Sequence, residues 1–429
     1  MVFGDYSQYK LIVSLILEYW WAWAPAILFY GFVMTWQFYI FEKTKEEISW
    51  ILLEIKTPMD VEKSPKVTEQ IFAGLHGVLS PIDWKDRFFY GKVTPWFSFE
   101  IIGIGGEIHF YVKTPENFRN LIEAQIFAQY PDAEVYEVED YINFIPAKLP
   151  NDEYDFWGTE FKLAKEDVYP IKTYFEFEEA GGLGEAKRVD PLASFAEVLS
   201  TLKSGENIWV QIIIQPTGPE VGDDWRKAGE RLVEKFSGKE PKEKGEHLGV
   251  KFAKFLDAIL PGGASVEKKD KKQEPKMIMS PAEKEAAEAI NRSINKLGFR
   301  SGVRFLYISR KETFHMSHVS GIMGVLKQFA SQNLNSFRPE SKTLTSPRGY
   351  LSFLFPSKRG FFNKQNLLIR KIKIYRAARK RRLPLTKPFI LNTEELATIF
   401  HLPGLAVRAP FLPRVQSKKG QSPSTLPID

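Results

Sequence analysis

Residues 96–113, WFSFEIIGIGGEIHFYVK, hold the pattern that decides the fold. Apolar and polar residues alternate from Trp96 to Ile102 and again from Glu107 to Lys113. Such alternation is typical of strands that bury one face. The segment Gly103-Ile104-Gly105-Gly106 separates the two runs, and its glycines allow the backbone conformations of a tight turn. The stretch therefore predicts a β-hairpin.

Further predicted elements flank this hairpin on both sides. A strand over Ser49–Lys56 and a helix from Ser64 precede it, and a helix over Pro115–Tyr130 and a strand over Ala133–Val138 follow. The resulting order β-α-β-β-α-β is that of a ferredoxin-like module. We assign it to residues 48–150.

The same order recurs in residues 151–340, which we predict to form a second ferredoxin-like module. Its predicted elements are a strand over Val168–Glu178, a helix over Pro191–Leu202, a strand over Asn207–Gln215, helices over Asp224–Phe236 and Pro281–Leu297, a strand over Gly302–Ser309, a helix over Val319–Ala330 and a last strand near residue 335. The fold class is thus α+β. Residues 237–280 read as a charged insertion, with linkers around a short amphipathic helix at Val250–Ile259.

Four predicted helix starts share one pattern, a side-chain oxygen followed by proline, at Ser64-Pro65, Thr114-Pro115, Asp190-Pro191 and Ser280-Pro281. The oxygen can cap the helix, and proline lacks only an N–H that the first turn leaves unpaired. Ser280 also stands three residues before Glu283. This spacing predicts a capping box.

Residues 1–47 carry a predicted membrane anchor. The stretch Ala22–Ile40 has no charged residue and meets the length of about 20 residues that a membrane-spanning helix needs. Aromatic residues that favour the membrane interface stand at both of its ends, namely Trp20, Trp21, Trp23, Trp36 and Tyr39. We therefore predict a single span, with Tyr9–Tyr19 lying along the interface.

Two other interpretations of this segment are a cleaved signal peptide and a buried core helix. Ala22-Trp23-Ala24 resembles a cleavage site, but Pro25 follows it directly. Aromatics at both ends, rather than along one stripe, argue against a core helix. Lys43, Lys45 and Lys56 follow the span, so the positive-inside rule predicts a cytoplasmic body on a single-pass protein of the cell membrane.

Charge is distributed unevenly along the chain, whose formal net charge is +6. Residues 341–429 hold 18 Lys or Arg residues and three acidic ones, a net charge of +15, whereas residues 1–340 carry a net charge of −9. This contrast favours an anionic partner for the C-terminal region. The absence of cysteine excludes disulfides, thiolate metal sites and a cysteine nucleophile.

The sequence holds no recognisable catalytic motif. No stretch matches the Walker A loop, because Gly91-Lys92 and Gly238-Lys239 lack both the first glycine and the hydroxyl residue. His315 and His318 are near each other, but two histidines do not complete a zinc site. We therefore expect no enzyme activity, no cofactor and no metal site.

The basic C-terminal region, residues 341–429, has no acidic residue between Ser341 and Thr393. Its densest part supplies the candidate nucleic-acid-binding or anion-binding residues Arg370, Lys371, Lys373, Arg376, Arg379, Lys380, Arg381 and Arg382. Three interpretations remain open: docking on the protein's own acidic body, contact with nucleic-acid phosphates, or contact with anionic lipid.

Several segments resemble a known family. SWILLEIK at Ser49–Lys56, EQIFAGLHG at Glu69–Gly77, NIWVQIIIQP at Asn207–Pro216 and LNTEELATIFHLP at Leu391–Pro403 resemble the membrane-anchored region of bacterial type IV secretion coupling ATPases, which act in conjugative DNA transfer. In that family a motor domain with a Walker A loop follows this region. The sequence ends without such a motor.

The resemblance implies a membrane-anchored, non-catalytic platform that positions a separate motor ATPase. The alternative is a stand-alone membrane-bound protein that binds nucleic acid through its basic region. The partners that follow are the membrane, a separate motor ATPase, DNA at the basic region and a second copy of the chain in a homo-oligomer.

Overall fold

The computed structural model describes residues 14, 17–58, 63–180, 190–222, 224–236, 280–346, 361–403 and 414–415. The helices are α1 (Trp20–Glu47), α2 (Lys66–His76), α3 (Trp84–Phe89), α4 (Arg119–Gln129), α5 (Tyr174–Ala180), α6 (Ala193–Ser200), α7 (Arg226–Phe236), α8 (Pro281–Ile294), α9 (Met316–Lys327), α10 (Phe361–Arg379) and α11 (Thr393–Ile399). The strands are β1 (Trp50–Pro58), β2 (Phe97–Ile104), β3 (Glu107–Pro115), β4 (Glu134–Glu137), β5 (Tyr154–Leu163), β6 (Asn207–Thr217), β7 (Gly298–Arg310), β8 (Phe337–Pro339), β9 (Phe389–Asn392) and β10 (Arg414–Val415).

The strands form one sheet in the order β10-β1-β3-β2-β6-β7-β5-β8, with β4 also paired to β1 and β9 to β7. Among the described residues the pairings are antiparallel except that of β1 with β10. The predicted hairpin is confirmed as β2 and β3, and Gly105 and Gly106 in its turn have φ angles of +58° and +100°. The α+β fold class is therefore confirmed.

Two groups of strands meet at the middle of the sheet. Strands β1 to β4 pair among themselves, as do β5 to β8, and β2 joins the two groups by pairing with β6. This junction runs from Phe97 opposite Ile214 to Ile104 opposite Asn207. The strands of residues 50–137 and those of residues 154–339 therefore share one continuous sheet.

Each face of the sheet carries its own core. The larger core buries residues of α2, α4, α6, α9 and α11, including Phe72, Ile122 and Leu199. The smaller core lies on the other face, where Trp209 and Leu306 of the sheet meet Tyr375 of α10. The apolar alternation along the strands explains the division, because successive side chains point to opposite faces.

One predicted element of residues 151–340 differs from the structure. Residues 168–178 were predicted as a strand but form a loop followed by α5, and the strand that fills this place is β5. The buried residues Val168, Ile171, Tyr174 and Phe177 recur every third position, a spacing that suits a loop and a helix turn rather than a strand. The strand prediction was wrong.

Helix starts agree with the prediction in part. Ser280 accepts the Glu283 N–H and Glu283 accepts the Ser280 N–H, so the capping box is confirmed. Pro115 instead ends β3, and α4 begins only at Arg119, after a short 3-10 turn. The predicted helix at Val250–Ile259 and its linkers lie outside the described residues.

Helix α1 is long and apolar enough to cross a membrane over Trp23–Glu47, and no residue of its most apolar window is buried in the rest of the protein. An apolar helix of this length is what a span requires. Only Ile48 and Ser49 separate α1 from β1.

Candidate functional site at the basic helix

Helix α10 carries most of the predicted anion-binding residues and packs against the sheet. Its Ile374, Tyr375 and Ala378 belong to the smaller core. The Tyr375 ring stacks on Trp209 with centroids 6.2 Å apart and planes at 19°, and its hydroxyl donates to the Pro146 carbonyl at 2.6 Å. One face of α10 is therefore structural, which leaves the opposite face for any ligand.

Arg381 lies just beyond α10, and its side chain is only 4% exposed. Its Nε and Nη2 donate to the two carboxylate oxygens of Glu100 at 3.0 and 3.3 Å. Its Nη1 and Nη2 donate to those of Asp140 at 2.7 and 2.8 Å. We call these three residues the arginine network. It fastens the basic region to β2 and to the segment after β4, using the planar donor fork of the guanidinium.

Electrostatics shift the pKa of Asp140 in the arginine network and that of the neighbouring Tyr141. Burial alone would raise the pKa of Asp140, but the charge and hydrogen bonds of Arg381 hold that pKa below its usual value, with help from Lys113. Burial, followed by the charge of Glu100, raises the pKa of Tyr141 well above its usual value. Tyr141 thus remains a neutral donor to Glu100, at 2.8 Å.

The backbone of Arg381 is also unusual. Its φ of +43° lies in the left-handed region, which costs a residue other than glycine about 1–3 kcal/mol. The indole N–H of Trp96 donates to the Arg381 carbonyl at 3.0 Å, and the Trp96 ring packs against Trp50 with centroids 4.9 Å apart. The contacts of the side chain and the carbonyl hold this conformation in place.

A second buried ion pair ties the same region to the other half of the sheet. Arg304 donates to Glu160 at 2.7 Å, and their side chains are 1% and 2% exposed. Arg304 also donates to the Arg382 carbonyl at 3.1 Å, and Glu160 accepts the Leu385 N–H at 3.0 Å. Gln211 of β6 lies between the two pairs, within 3.2 Å of the Tyr141 hydroxyl.

Two further basic residues make ion pairs with the rest of the chain. Arg382 donates to Glu42 of α1 at 2.6 Å, a contact that joins the basic region to the C-terminal end of the anchor helix. Lys371 donates to Asp155 of β5 at 2.5 Å. These contacts agree with the first of the three interpretations, docking on the acidic body.

The remaining predicted residues differ in their solvent exposure and in their contacts with the rest of the chain. Arg379 donates to the Ile142 carbonyl at 3.1 Å, and Arg370 is half-buried with a 3.4 Å contact to the Ser341 carbonyl. The three exposed ones are Lys373, Arg376 and Lys380. The eight predicted residues therefore do not form one binding surface, and only these three stay open to an anionic ligand.

The predicted membrane-interface residues lie along α1 as expected from their spacing. Trp20, Trp21, Trp23 and Tyr39 are exposed by 60%, 62%, 42% and 58%, and Trp36 is partly exposed. Trp36 packs near Tyr39 with centroids 6.5 Å apart. Large aromatic side chains left in solvent in this way suit the headgroup layer of a bilayer.

The segment LNTEELATIFHLP forms a third polar cluster, on the larger core. Asn392 and Glu395 form a capping box at the start of α11, and Glu395 also accepts the Ile171 N–H at 2.9 Å. Burial raises the pKa of Glu395 to about 8 although these two backbone N–H groups oppose the shift. The carboxyl group serves as a structural acceptor deep in the protein.

Lys296 lies close to this cluster, between two carboxylates. Its Nζ is 2.7 Å from Glu69 and 2.8 Å from Glu394. Burial alone would lower the pKa of Lys296, but the hydrogen bonds and charges of these two groups raise it. The cluster joins α2, the end of α8 and α11. Segments that carry the family resemblance therefore act here as connections within the fold.

Sequence reasoning missed the acidic partners Glu100, Asp140 and Glu160 and the buried Arg304. The available signal was a charged residue inside an apolar strand, as at Glu100 in FSFEII and Glu160 in WGTEF. Charged residues are seldom fully buried unless they are paired, so such positions indicate an ion pair but not its partner.

Comparison with known families identifies the family of this chain. Residues 41–410 match the model of a family described as a domain of unknown function, DUF8128. The chain belongs to the DUF8128 family. The matched residues contain both partners of every ion pair described above, from Glu42 to Arg382. No curated protein matches the chain.

The described part of this DUF8128 protein contains no group of three or more His, Cys, Asp or Glu residues placed to hold a metal ion. His318 instead lies 3.5 Å from Glu206. His76 pairs with the Thr217 carbonyl at 3.0 Å, so it bridges α2 and β6. The contacts recorded for these histidines are structural.

Proposed function

We propose that this chain is a single-span membrane protein whose cytoplasmic body is a non-catalytic platform in a type IV secretion-like or conjugative DNA-transfer-like system, where it positions a separate motor ATPase. The observation that carries the proposal is that the basic region forms ion pairs with the sheet and with the anchor helix. Arg381 is enclosed by the arginine network, and Arg382 reaches Glu42 at the end of α1. Such contacts stiffen the body at the foot of the anchor.

Three features support the finer parts of this proposal. The pairing orders β4-β1-β3-β2 and β8-β5-β7-β6 support two ferredoxin-like modules joined edge to edge, which would give a broad, rigid body. Lys43 and Lys45 follow the span and favour a cytoplasmic body. The link to a motor rests on the resemblance of residues 49–77, 207–216 and 391–403 to coupling-protein segments.

A second candidate function is binding of nucleic acid by the exposed face of α10. Lys373 and Arg376 are exposed on this face, and Lys380 is exposed directly after the helix. Basic side chains in such positions contact phosphates without reading sequence. Fewer basic side chains are free to bind DNA than the sequence suggested. Lys371, Arg381 and Arg382 each pair with a carboxylate of the chain. Arg379 donates to two backbone carbonyls.

A titration of duplex DNA against the full-length chain in detergent micelles separates the two functions. Three phosphate contacts would give log K against log salt a slope of about −2.7, at about −0.9 per contact. Replacing Lys373, Arg376 and Lys380 with Ala should remove that slope if α10 binds DNA. The matched control replaces the exposed Lys311, Lys327 and Arg338, which changes the net charge equally.

The platform function predicts that wild type and both triple variants bind DNA equally weakly. It also predicts that a purified P-loop ATPase of the conjugative translocase class binds the micellar full-length chain. A steep slope lost only in the α10 variant would favour the nucleic-acid function, and failure of translocase-class ATPases to bind would remove the motor from the proposal.

A further inference from the structure

The loop that contains α3 packs along the C-terminal end of α1. The Gln37 side chain donates to the Phe88 carbonyl at 3.4 Å, and the Thr44 hydroxyl donates to the Tyr90 carbonyl at 2.9 Å. Gly91 contacts Ile40, which lies between Gln37 and Thr44 on α1. Gly91 has a φ of +62°, and a Cβ added to it would fall 2.3 Å from the Ile40 side chain. The loop thus follows about two turns of α1 on one face.

This level of α1 is the end of its apolar stretch. Ile40 and Phe41 are its last apolar residues and Glu42 is its first acid, while Trp36 and Tyr39 stand within the turn before. In a helix that spans the bilayer these positions lie where hydrocarbon gives way to headgroups. A loop fixed to Gln37, Ile40 and Thr44 is therefore held at headgroup depth.

The loop presents large aromatic side chains to its surroundings at this level. Trp84, Phe89 and Tyr90 are 65%, 52% and 67% exposed. Lys85 and Arg87 are exposed beside them, and the Lys85 amine lies 5.9 Å from the centroid of the Trp84 ring. We call residues 84–92 the aromatic loop. Trp and Tyr combine an apolar ring with a polar group, which is the composition that the membrane interface favours.

We infer that the aromatic loop is a second membrane contact, which inserts Trp84, Phe89 and Tyr90 into the headgroup layer of a phospholipid bilayer. The inference rests on the membrane-spanning role proposed for α1 and adds a contact that fixes how the body lies on the bilayer. A single helix allows rotation of the body about its axis, whereas a second contact on one side of α1 selects one face of the body for the membrane.

The test uses the full-length chain, which has no native cysteine, so that one introduced cysteine carries one environment-sensitive dye. The variants Phe89→Cys and Tyr90→Cys report on the aromatic loop. Phe29→Cys, 69% exposed in the middle of α1, reports on the span. Glu107→Cys is the aqueous control, because Glu107 is 67% exposed and lies at the opposite end of β3 from Pro115, which pairs with Trp50 beside α1.

Each labelled protein is reconstituted into phosphatidylcholine vesicles that carry nitroxide quenchers either on the headgroup or deep in the acyl chain. We expect headgroup quenchers to quench the labels at 89 and 90, acyl-chain quenchers to quench the label at 29, and neither to quench the label at 107. Labels at 89 and 90 that behave like the one at 107, beside a quenched label at 29, would overturn the membrane contact and leave the span intact. Loss of quenching at 29 would overturn the span itself.

Discussion

Replacing Arg381 by Met tests whether the arginine network holds the basic region on the sheet. The variant removes four hydrogen bonds to Glu100 and Asp140, and removing one partner of a buried ion pair typically costs about 3–5 kcal/mol. Glu100 keeps Ser98 and Tyr141 as donors, at 2.7 and 2.8 Å. Asp140 keeps Lys113 at 3.1 Å. We therefore expect a loss near the lower limit, about 3 kcal/mol.

The assay is urea unfolding of the full-length protein in detergent micelles, followed by tryptophan fluorescence, which Trp96 makes sensitive to this site. Lys380→Met is the matched control, since Lys380 is exposed and a surface substitution should change stability by no more than about 0.5 kcal/mol. Adding Glu100→Gln to Arg381→Met should recover part of the loss, because it removes the unpaired buried charge. If Arg381→Met costs no more stability than Lys380→Met, the arginine network does not hold the basic region on the sheet.

Three further predictions concern other parts of the chain. Arg at Phe29 or Val33 should oppose membrane insertion by about 2.5–3.5 kcal/mol each, so the variants should leave the carbonate-resistant pellet, whereas Arg at the exposed Glu47 should remain in it. The folded protein raises the pKa of Glu395 to about 8 from 4.5, so it binds the proton more tightly than the unfolded chain does. The stability contribution of Glu395 is complete below about pH 4.5 and is lost as the pH rises through about 8. The melting temperature of wild type minus that of Glu395→Gln should fall over that range, and a constant difference would contradict the shift. The full-length protein should hydrolyse ATP no faster than a buffer blank, because its sequence has no Walker A loop; turnover that copurifies with the chain through successive columns would contradict this.

Short-range patterns predicted the elements that they control. The alternation in residues 96–113 needs only neighbours in the sequence, and the hairpin agrees with it strand for strand. Ser280 and Glu283 are likewise three residues apart, and their capping box is present. Periodicity and capping were sufficient for these two elements, whose stabilising partners lie within one hairpin and one helical turn.

Strand β5 shows why the elements of residues 151–340 were harder to predict. Residues 154–163 contain Gly158 and Glu160, which weaken a strand pattern, and Glu160 is buried in an ion pair with Arg304. Residues 168–178 are richer in β-forming side chains, so the sequence pattern predicts the strand there instead. The ion-pair partner of Glu160 lies 144 residues away, and no local pattern contains it.

The candidate site was affected in the same way. Counting charge placed Arg381 and Arg382 with the exposed bases of α10, since all belong to one basic stretch. In the structure Arg381 is buried against carboxylates of β2 and the segment after β4, whereas Lys380 beside it is exposed. Charge density predicted the region but not which of its members face solvent.

The distance along the chain between Arg381 and Glu100 has a consequence for biosynthesis. The two residues are 281 positions apart, and at about 5–20 residues per second the ribosome needs roughly 14–56 s to make the second after the first. Throughout that interval α1 has already been made, while the carboxylate on β2 has no cation to receive it. The arginine network therefore forms only after Arg381 has been made, and a polypeptide released before that point leaves the Glu100 carboxylate without this cation.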